Sequence, residues 1–328
     1  MLAATLLVAC QKEISFESGP QVPGGTSEGA LGGSPGACAN ISFVGTYGAN
    51  IAVADSNAMR LEVTFTKVGS YTIGTDTCNG LSFRGSGVVT AITGVPQTVV
   101  LKAFGTPTAA GSCTFLVSFK GSTCTASLPV LPVAAATTGD YFPTTVGSNW
   151  SYFSSSPGAQ PDDSVYTLSI NANATINSTV YRMFTSEDDT DKDTSFYRKT
   201  GNNYHQFGDL DVAGVASNFV NADYIFLRDD VPLGGSWETG TGDALINGVP
   251  LKMKLSFTIA EKDVDVVVNN RIFRNVIKVR ATSLAGPAAG PFAVVTTYES
   301  WYAKGIGLIN VVAPIPVFGF AVTRYVVN

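Results

Sequence analysis

The first regular pattern along the chain is an alternation. Met59, Leu61, Val63 and Phe65 occupy every second position, with Arg60, Glu62 and Thr64 between them. A two-residue period puts one set of side chains on one face of an extended segment, as in a half-buried strand. Short runs of the same kind follow at Tyr71-Thr72-Ile73, Leu81-Ser82-Phe83, Val99-Val100-Leu101 and Phe115-Leu116-Val117, separated by Gly69-Ser70, Asn79-Gly80, Gly94, Gly105 and Gly121-Ser122. Turn signals at roughly 8–12-residue intervals predict a β-sandwich over 37–133. Ala134-Ala135-Ala136-Thr137-Thr138-Gly139 reads as a linker over 134–139. From Asp140 onward the chain is again strand-rich, at Val165 to Ile170, Val180 to Thr185, Tyr224 to Leu227, Lys252 to Ile259, Val264 to Val268, Val276 to Ala281 and Val294 to Tyr298. Gly201-Asn202-Asn203, Asn269-Asn270 and Gly305 read as hairpin turns. No 12-residue segment keeps a capped 3.6-residue apolar period, so residues 140–328 are predicted to form an antiparallel meander, either an open curved sheet or a closed barrel. The fold class is all-β.

Composition agrees with this. The chain has 328 residues, a length that suggests two domains. Hydrophobic residues make up 45%, enough for buried cores, while charged residues make up only 14%, against about 25% in ordinary globular chains. With 34 Gly and 16 Pro, the balance favours strands and turns. The net charge is −5 without a Lys/Arg cluster, so the electrostatic footprint of a nucleic-acid binder is missing. No apolar run reaches the length of a membrane-spanning helix.

Residues 11–36 are dominated by Gly, Ser, Pro and Glu, a composition expected to form a flexible tether with a reach of ~25–30 Å. Ahead of it stands Leu7-Val8-Ala9-Cys10, which resembles the lipobox of bacterial lipoproteins. That resemblance implies cleavage before Cys10 and lipidation of its sulfur, with the membrane as partner through the lipid. Residues 1–10 hold no Lys or Arg and are short for a signal peptide, so the expectation is a truncated signal, from a start assigned too late or a gene fragment. Gln11-Lys12-Glu13 resembles the export signals of Bacteroidetes surface lipoproteins, which implies an outer-membrane location on the cell surface, with the periplasmic face as the other choice.

There are five cysteines, Cys10, Cys38, Cys78, Cys113 and Cys124. With Cys10 lipidated, the other four form an even set able to make two disulfides in an oxidising compartment. Four cysteines allow three connectivities. Gly69-Ser70-Tyr71-Thr72-Ile73, Thr75-Asp76-Thr77, Asn79-Gly80-Leu81-Ser82-Phe83 and Gly105-Thr106-Pro107 resemble the immunoglobulin-like modules of Bacteroidetes surface proteins. Such modules often carry cysteines in the first and last strands, which implies pairing of Cys38 with Cys124 and leaves Cys78 with Cys113. The resemblance implies a spacer or interaction module.

In the second domain, Tyr141-Phe142-Pro143 with Gly147-Ser148-Asn149-Trp150-Ser151-Tyr152, and Ser300-Trp301-Tyr302-Ala303-Lys304-Gly305-Ile306-Gly307-Leu308-Ile309, resemble a family of bacterial envelope lipoproteins. That family is related in pattern to lipoprotein-carrier-like curved sheets. The resemblance implies a fold more than a function. Trp150 and Trp301 read as packing anchors, with ligand stacking as the other role. Trp237 joins them as a ligand-binding candidate.

The chemistry of the chain argues against catalysis. The one histidine, His205, is accompanied by no Gly-x-Ser-x-Gly elbow, and it reads as an ordinary strand or surface residue. There is no zinc motif, phosphate loop or dinucleotide fingerprint, and no cofactor is expected. The run Glu187-Asp188-Asp189-Thr190-Asp191-Lys192-Asp193 offers Asp188, Asp189, Asp191 and Asp193 as calcium candidates, but it lacks the glycine and terminal glutamate of an EF-hand loop. A solvated strand connection is the preferred reading. Asp223, Glu238 and Glu299 lie near Tyr224, Trp237 and Trp301 in sequence, the residue types of a glycosidase pair or of a sugar-binding surface. Asp163-Ser164-Val165 resembles the Bacteroidetes O-glycosylation signal. The expectation is a non-catalytic envelope lipoprotein with a binding or structural role, its partner a glycan, a protein or an apolar ligand. A carrier of an apolar ligand and a glycan-active enzyme are the alternatives.

Overall fold

The computed structural model describes residues 24–154, 164–187, 192–218, 220–314 and 317–328. Cys10 and residues 11–23, half of the expected tether, lie outside these residues. The chain divides into two compact units, Met1–Val130 and Leu131–Asn328. Among the described residues there is no helix, and each unit is built on one antiparallel sheet.

The first unit comprises β1 (Glu28–Leu31), β2 (Ser42–Val44), β3 (Ala58–Lys67), β4 (Gly69–Thr75), β5 (Leu81–Val89), β6 (Gln97–Gly105), β7 (Gly111–Phe119) and β8 (Ser122–Val130). Their order is β1-β3-β6-β5-β4-β7-β8, with β2 also on β3. The alternation in β3 does what its period requires: Met59, Leu61, Val63 and Phe65 are buried and Arg60 is exposed. They share a core with Phe83, Phe115 and Phe119, in which Phe83 and Phe115 meet edge to face at 5.1 Å. Lys120 and Gly121 both have left-handed φ, 48° and 84°, forming the tight two-residue turn between β7 and β8. The sequence reading placed that turn one residue later, at Gly121-Ser122.

The segment 11–36 is not a tether throughout. Glu28–Leu31 is strand β1, paired with Val63 to Lys67 of β3, and Leu31 is buried. A polar composition does not prevent this, because an edge strand needs only backbone bonds and one buried apolar side chain. After β1 the chain runs beside the last strand in parallel: the Cys38 and Thr125 N–H groups donate to Thr125 O and Gly36 O, each at 2.9 Å. Disulfides join Cys38 to Cys124 and Cys78 to Cys113, with Cα separations of 5.0 and 5.9 Å. Such bonds persist in oxidising, extracytoplasmic compartments.

The second unit comprises β9 (Asn149–Ser154), β10 (Ser164–Ile176), β11 (Thr179–Glu187), β12 (Lys192–Thr200), β13 (Asn203–Asp209), β14 (Asn221–Arg228), β15 (Ser236–Glu238), β16 (Gly242–Ile246), β17 (Val249–Val268), β18 (Arg271–Gly286), β19 (Ala293–Ala303), β20 (Gly307–Pro314) and β21 (Val317–Val326). It is two meanders, β9 to β14 and β17 to β21, each hydrogen-bonded in chain order and joined where β9 pairs β21. The curved sheet nearly closes as a barrel, with β14 and β15 ending the path. Its core packs Tyr204, Tyr224 and Phe226 from one meander against Leu255, Phe257 and Ile277 from the other.

Two predicted strands, Lys252 to Ile259 and Val264 to Val268, are one 20-residue strand, β17. Register shifts between Ile259 and Val266 and the positive φ of Asp263, 56°, mark bulges that break the side-chain alternation while leaving the strand continuous. The expected linker 134–139 is likewise held to this unit. Ala134 N–H donates to Ile272 O at 2.8 Å, and Thr137 N–H to Gly305 O at 3.3 Å.

The two sequence phrases at opposite ends of the second domain come together here. Trp150 Nε1 donates to Ile306 O at 2.7 Å across 156 residues of chain. Tyr152 OH donates to Leu308 O at 3.0 Å, and Gly305 N–H to Asp140 O at 2.7 Å. Gly307, with φ 112°, lies under the indole; a Cβ there would stand 3.2 Å from Trp150 Nε1.

Candidate functional site

Two cavities of the second unit bear on function, and they differ in size and chemistry. The interior cavity between the meanders has a volume of about 150 Å³ and is edged by Tyr197, Tyr298, Tyr302, Gln206 and Ser300 among aromatic rings. Burial pushes the phenols of Tyr197, Tyr298 and Tyr302 above their ordinary range, so these hydroxyls stay protonated. The volume is well below the ~300–1,000 Å³ of small-molecule sites. Phe142 and Phe226, 5.1 Å apart, fill the space beside it.

The second cavity, about 340 Å³, lies at the seam where β14 and β15 approach without a strand ladder, and Asp223, Arg228, Trp237, Glu238 and Thr239 line it. Two of its lining residues, Tyr224 and Trp237, belong to a row of three near-parallel rings whose middle member, Phe257, lines the interior cavity instead. Phe257 of β17 lies between Tyr224 of β14 (6.2 Å, 17°) and Trp237 of β15 (5.5 Å, 16°). Trp237 Nε1 donates to Ile225 O at 2.8 Å, which ties β15 to β14 through a side chain.

Behind Asp223 stands a fixed polar cluster. Arg198 Nη2 donates to Asp223 Oδ2 at 2.5 Å and bonds His205 Nδ1 at 2.8 Å. Since a guanidinium only donates, Nδ1 is the acceptor, and the neutral ring carries its proton on Nε2, 2.8 Å from Thr200 Oγ1. Burial lowers the His205 pKa, Arg198 lowers it further, and Asp223 opposes both. Glu238 is paired with Lys254 at 2.6 Å. The carboxylates on this pocket therefore each have a cation in contact.

The structure sorts the residues singled out by sequence. Trp150 is only 3% exposed and lies beside near-parallel Phe142 and Phe184 rings. It has no face to offer a ligand and acts as a packing anchor. Trp301 is half-buried, bonded to Glu299 at 2.7 Å with Lys278 over its ring at 4.3 Å. Trp237 alone of the three lines the seam pocket. Asp223 and Glu238 meet there, whereas Glu299 lies on β19 with Arg280. The calcium candidates Asp188, Asp189 and Asp191 lie outside the described residues, between Glu187 and Lys192, which pair across β11 and β12. Asp193 accepts the N–H of Thr194, and no metal-ligating cluster occurs among the described residues. Asp163 is also outside them.

Sequence reading missed Arg198, Arg228 and Thr239. A signal for Arg198 existed: once Gly201-Asn202 is a two-residue turn, Thr200 faces Asn203 and Arg198 faces His205, the register observed.

No protein family matches the chain, and no curated protein matches it. Two solved structures are similar to part of it. One is of a candidate lipoprotein from Parabacteroides distasonis, 11% identical, with a TM-score of 0.36 over 58% of this chain and 100% of that one. The other is of a candidate exported protein with a YmcC-like fold from Bacteroides fragilis, 12% identical, with a TM-score of 0.35 and the same coverage.

Proposed function

We propose that this chain is a non-catalytic cell-envelope lipoprotein: a lipid on Cys10, an immunoglobulin-like spacer, and a barrel-like binding unit, held at the outer membrane and facing the cell surface. The observation that carries the non-catalytic reading is the pairing at the seam pocket. Asp223 is held by Arg198 and Glu238 by Lys254, so each already has a structural partner and neither is the unpaired carboxyl group that the general-acid role of a hydrolytic pair calls for. The small interior cavity disfavours a carrier that encloses an apolar ligand between the meanders; the larger apolar pocket of about 470 Å³, at Val215, Ile246, Leu251 and Val295, is open to solvent.

The strand order supports the immunoglobulin-like reading of the first unit. The row β1-β3-β6-β5 followed by β4-β7-β8 has the connectivity of an A-B-E-D sheet and a C-F-G sheet, with the chain after β1 parallel to the last strand. The test is metabolic labelling with an alkyne fatty acid, followed by protease treatment of intact cells. Parent protein is expected to take label and to be cleaved from outside, while Cys10→Ser takes none and leaves the membrane fraction. Labelled or membrane-bound Cys10→Ser refutes the tether, and protection from protease until lysis moves the protein to the periplasmic face.

A further inference from the structure

We infer that the seam pocket between β14 and β15 is a saccharide site that takes a neutral pyranose ring against Trp237. This deepens the binding role proposed above and rests on it.

The first argument is shape. A volume of about 340 Å³ falls at the lower end of the range for small-molecule sites, and one or two sugar rings fit it. The second is the disposition of Trp237. Phe257 covers one face of the indole, and Ile225 O takes the ring N–H. What Trp237 presents to the pocket is a flat apolar surface whose polar handle is already engaged. Such a surface suits the C–H face of a pyranose, which is flat and apolar on one side and bears hydroxyls around its rim.

The third argument is charge. Around the pocket stand three cations, Arg198, Arg228 and Lys254, and three carboxylates, Asp223, Asp230 and Glu238, in contacting pairs. The three charges of each sign balance, so net charge favours neither an anionic nor a cationic ligand, and the buried Nε of Arg228 remains without a partner in the structure. A ligand rich in hydroxyls finds both acceptors and donors, because a carboxylate has about four lone-pair positions and one cation leaves others open. Asp223 and Glu238 are 35% and 50% exposed, so their remaining lone pairs are reachable.

The last argument is rigidity. Arg198, His205 and Thr200 hold Asp223 from behind, on β12 and β13. Thr239 is held to Leu255 of β17 by two bonds, its N–H to Leu255 O at 2.9 Å and the Leu255 N–H to its Oγ1 at 3.0 Å. The polar groups are therefore positioned before a ligand arrives, which lowers the ordering cost of binding.

The experiment is saturation-transfer NMR on the full chain, with methyl glucoside, galactoside, mannoside and xyloside and the corresponding disaccharides as probes. Glucuronate serves as the anionic control and 1-anilinonaphthalene-8-sulfonate as the apolar one. Expected is saturation of the ring C–H protons of at least one neutral probe, weakened tenfold or more by Trp237→Ala and unchanged by Trp301→Ala. Since Trp237→Ala removes the tie to Ile225, Trp237→Phe is the companion. It keeps an aromatic face without the N–H and is expected to retain binding within about threefold. The inference is overturned if no neutral pyranoside is saturated, if binding survives Trp237→Ala, or if only a control binds. A disaccharide that binds and is then cleaved leaves the site standing and overturns the non-catalytic reading instead.

Discussion

Replacing Trp150 by Phe tests how the second unit is closed. The indole N–H is the donor to Ile306 O at 2.7 Å, and Ile306 is only 2% exposed. Without that donor the carbonyl is buried and unpaired, at a cost of about 1–3 kcal/mol. The lost ring atoms leave a void of roughly 40 Å³, which at ~24 cal/mol per Å³ adds about 1 kcal/mol. The expected destabilisation is about 2–4 kcal/mol, or roughly 4–16 °C in midpoint for a unit of this size. Trp301→Phe is the control: its indole is half-buried and its partners are Glu299 and Lys278, so about 0.5–1 kcal/mol is expected. All three tryptophans lie in the second unit, so thermal and urea unfolding followed by tryptophan fluorescence report that unit alone, and each variant keeps two. A Trp150→Phe loss below 0.5 kcal/mol, or one smaller than that of Trp301→Phe, would refute the reasoning.

Other expectations concern the first unit, the polar cluster and a turn. The Cys38–Cys124 disulfide spans 86 residues and Cys78–Cys113 spans 35, so chain entropy makes double Ser replacement of the first pair costlier by about 0.8 kcal/mol; the reverse order of urea midpoints would contradict this. His205 has a lowered pKa in the folded state, so the unfolded chain takes up its proton first as the pH falls. Its contribution is complete above the ordinary value of 6.5, declines as the pH drops from there to the lowered folded value, and then levels off. His205→Gln is expected to remove that part of the slope between pH 7.5 and 5.5, and an unchanged slope would show that His205 is not its source. Asn269 and Asn270 both have left-handed φ, 47° and 56°, so Asn270→Ala should cost about 1 kcal/mol in the midpoint of the second unit, and a neutral result would argue against that turn.

Much of the fold was legible because strand patterning is local. A side chain at every second position turns inward whatever strand lies beside it, so Met59 to Phe65 announced their own burial, and Asn269-Asn270 announced a reversal. The same locality could have paired Arg198 with His205 across the turn at Gly201-Asn202, a signal that the sequence analysis did not use. Where the local pattern was irregular the reading failed, as in β17, whose bulges divided one strand into two, and in Glu28–Leu31, where edge pairing outweighed a polar composition.

What only the tertiary structure decided is which strands meet. Backbone N–H and C=O groups are alike in every residue, so nothing in Asn149–Ser154 names Val317–Val326 as its neighbour. The pairing follows from curling the whole sheet until two apolar faces close on one another. That curl brings Trp150 to Ile306, sets Asp223 beside Trp237 and Glu238, and sends Glu299 elsewhere. The sequence determined an all-β chain in two parts with particular strands and turns. The seam pocket, lined from β13, β14, β15 and the two residues after it, exists only because a long sheet nearly closes.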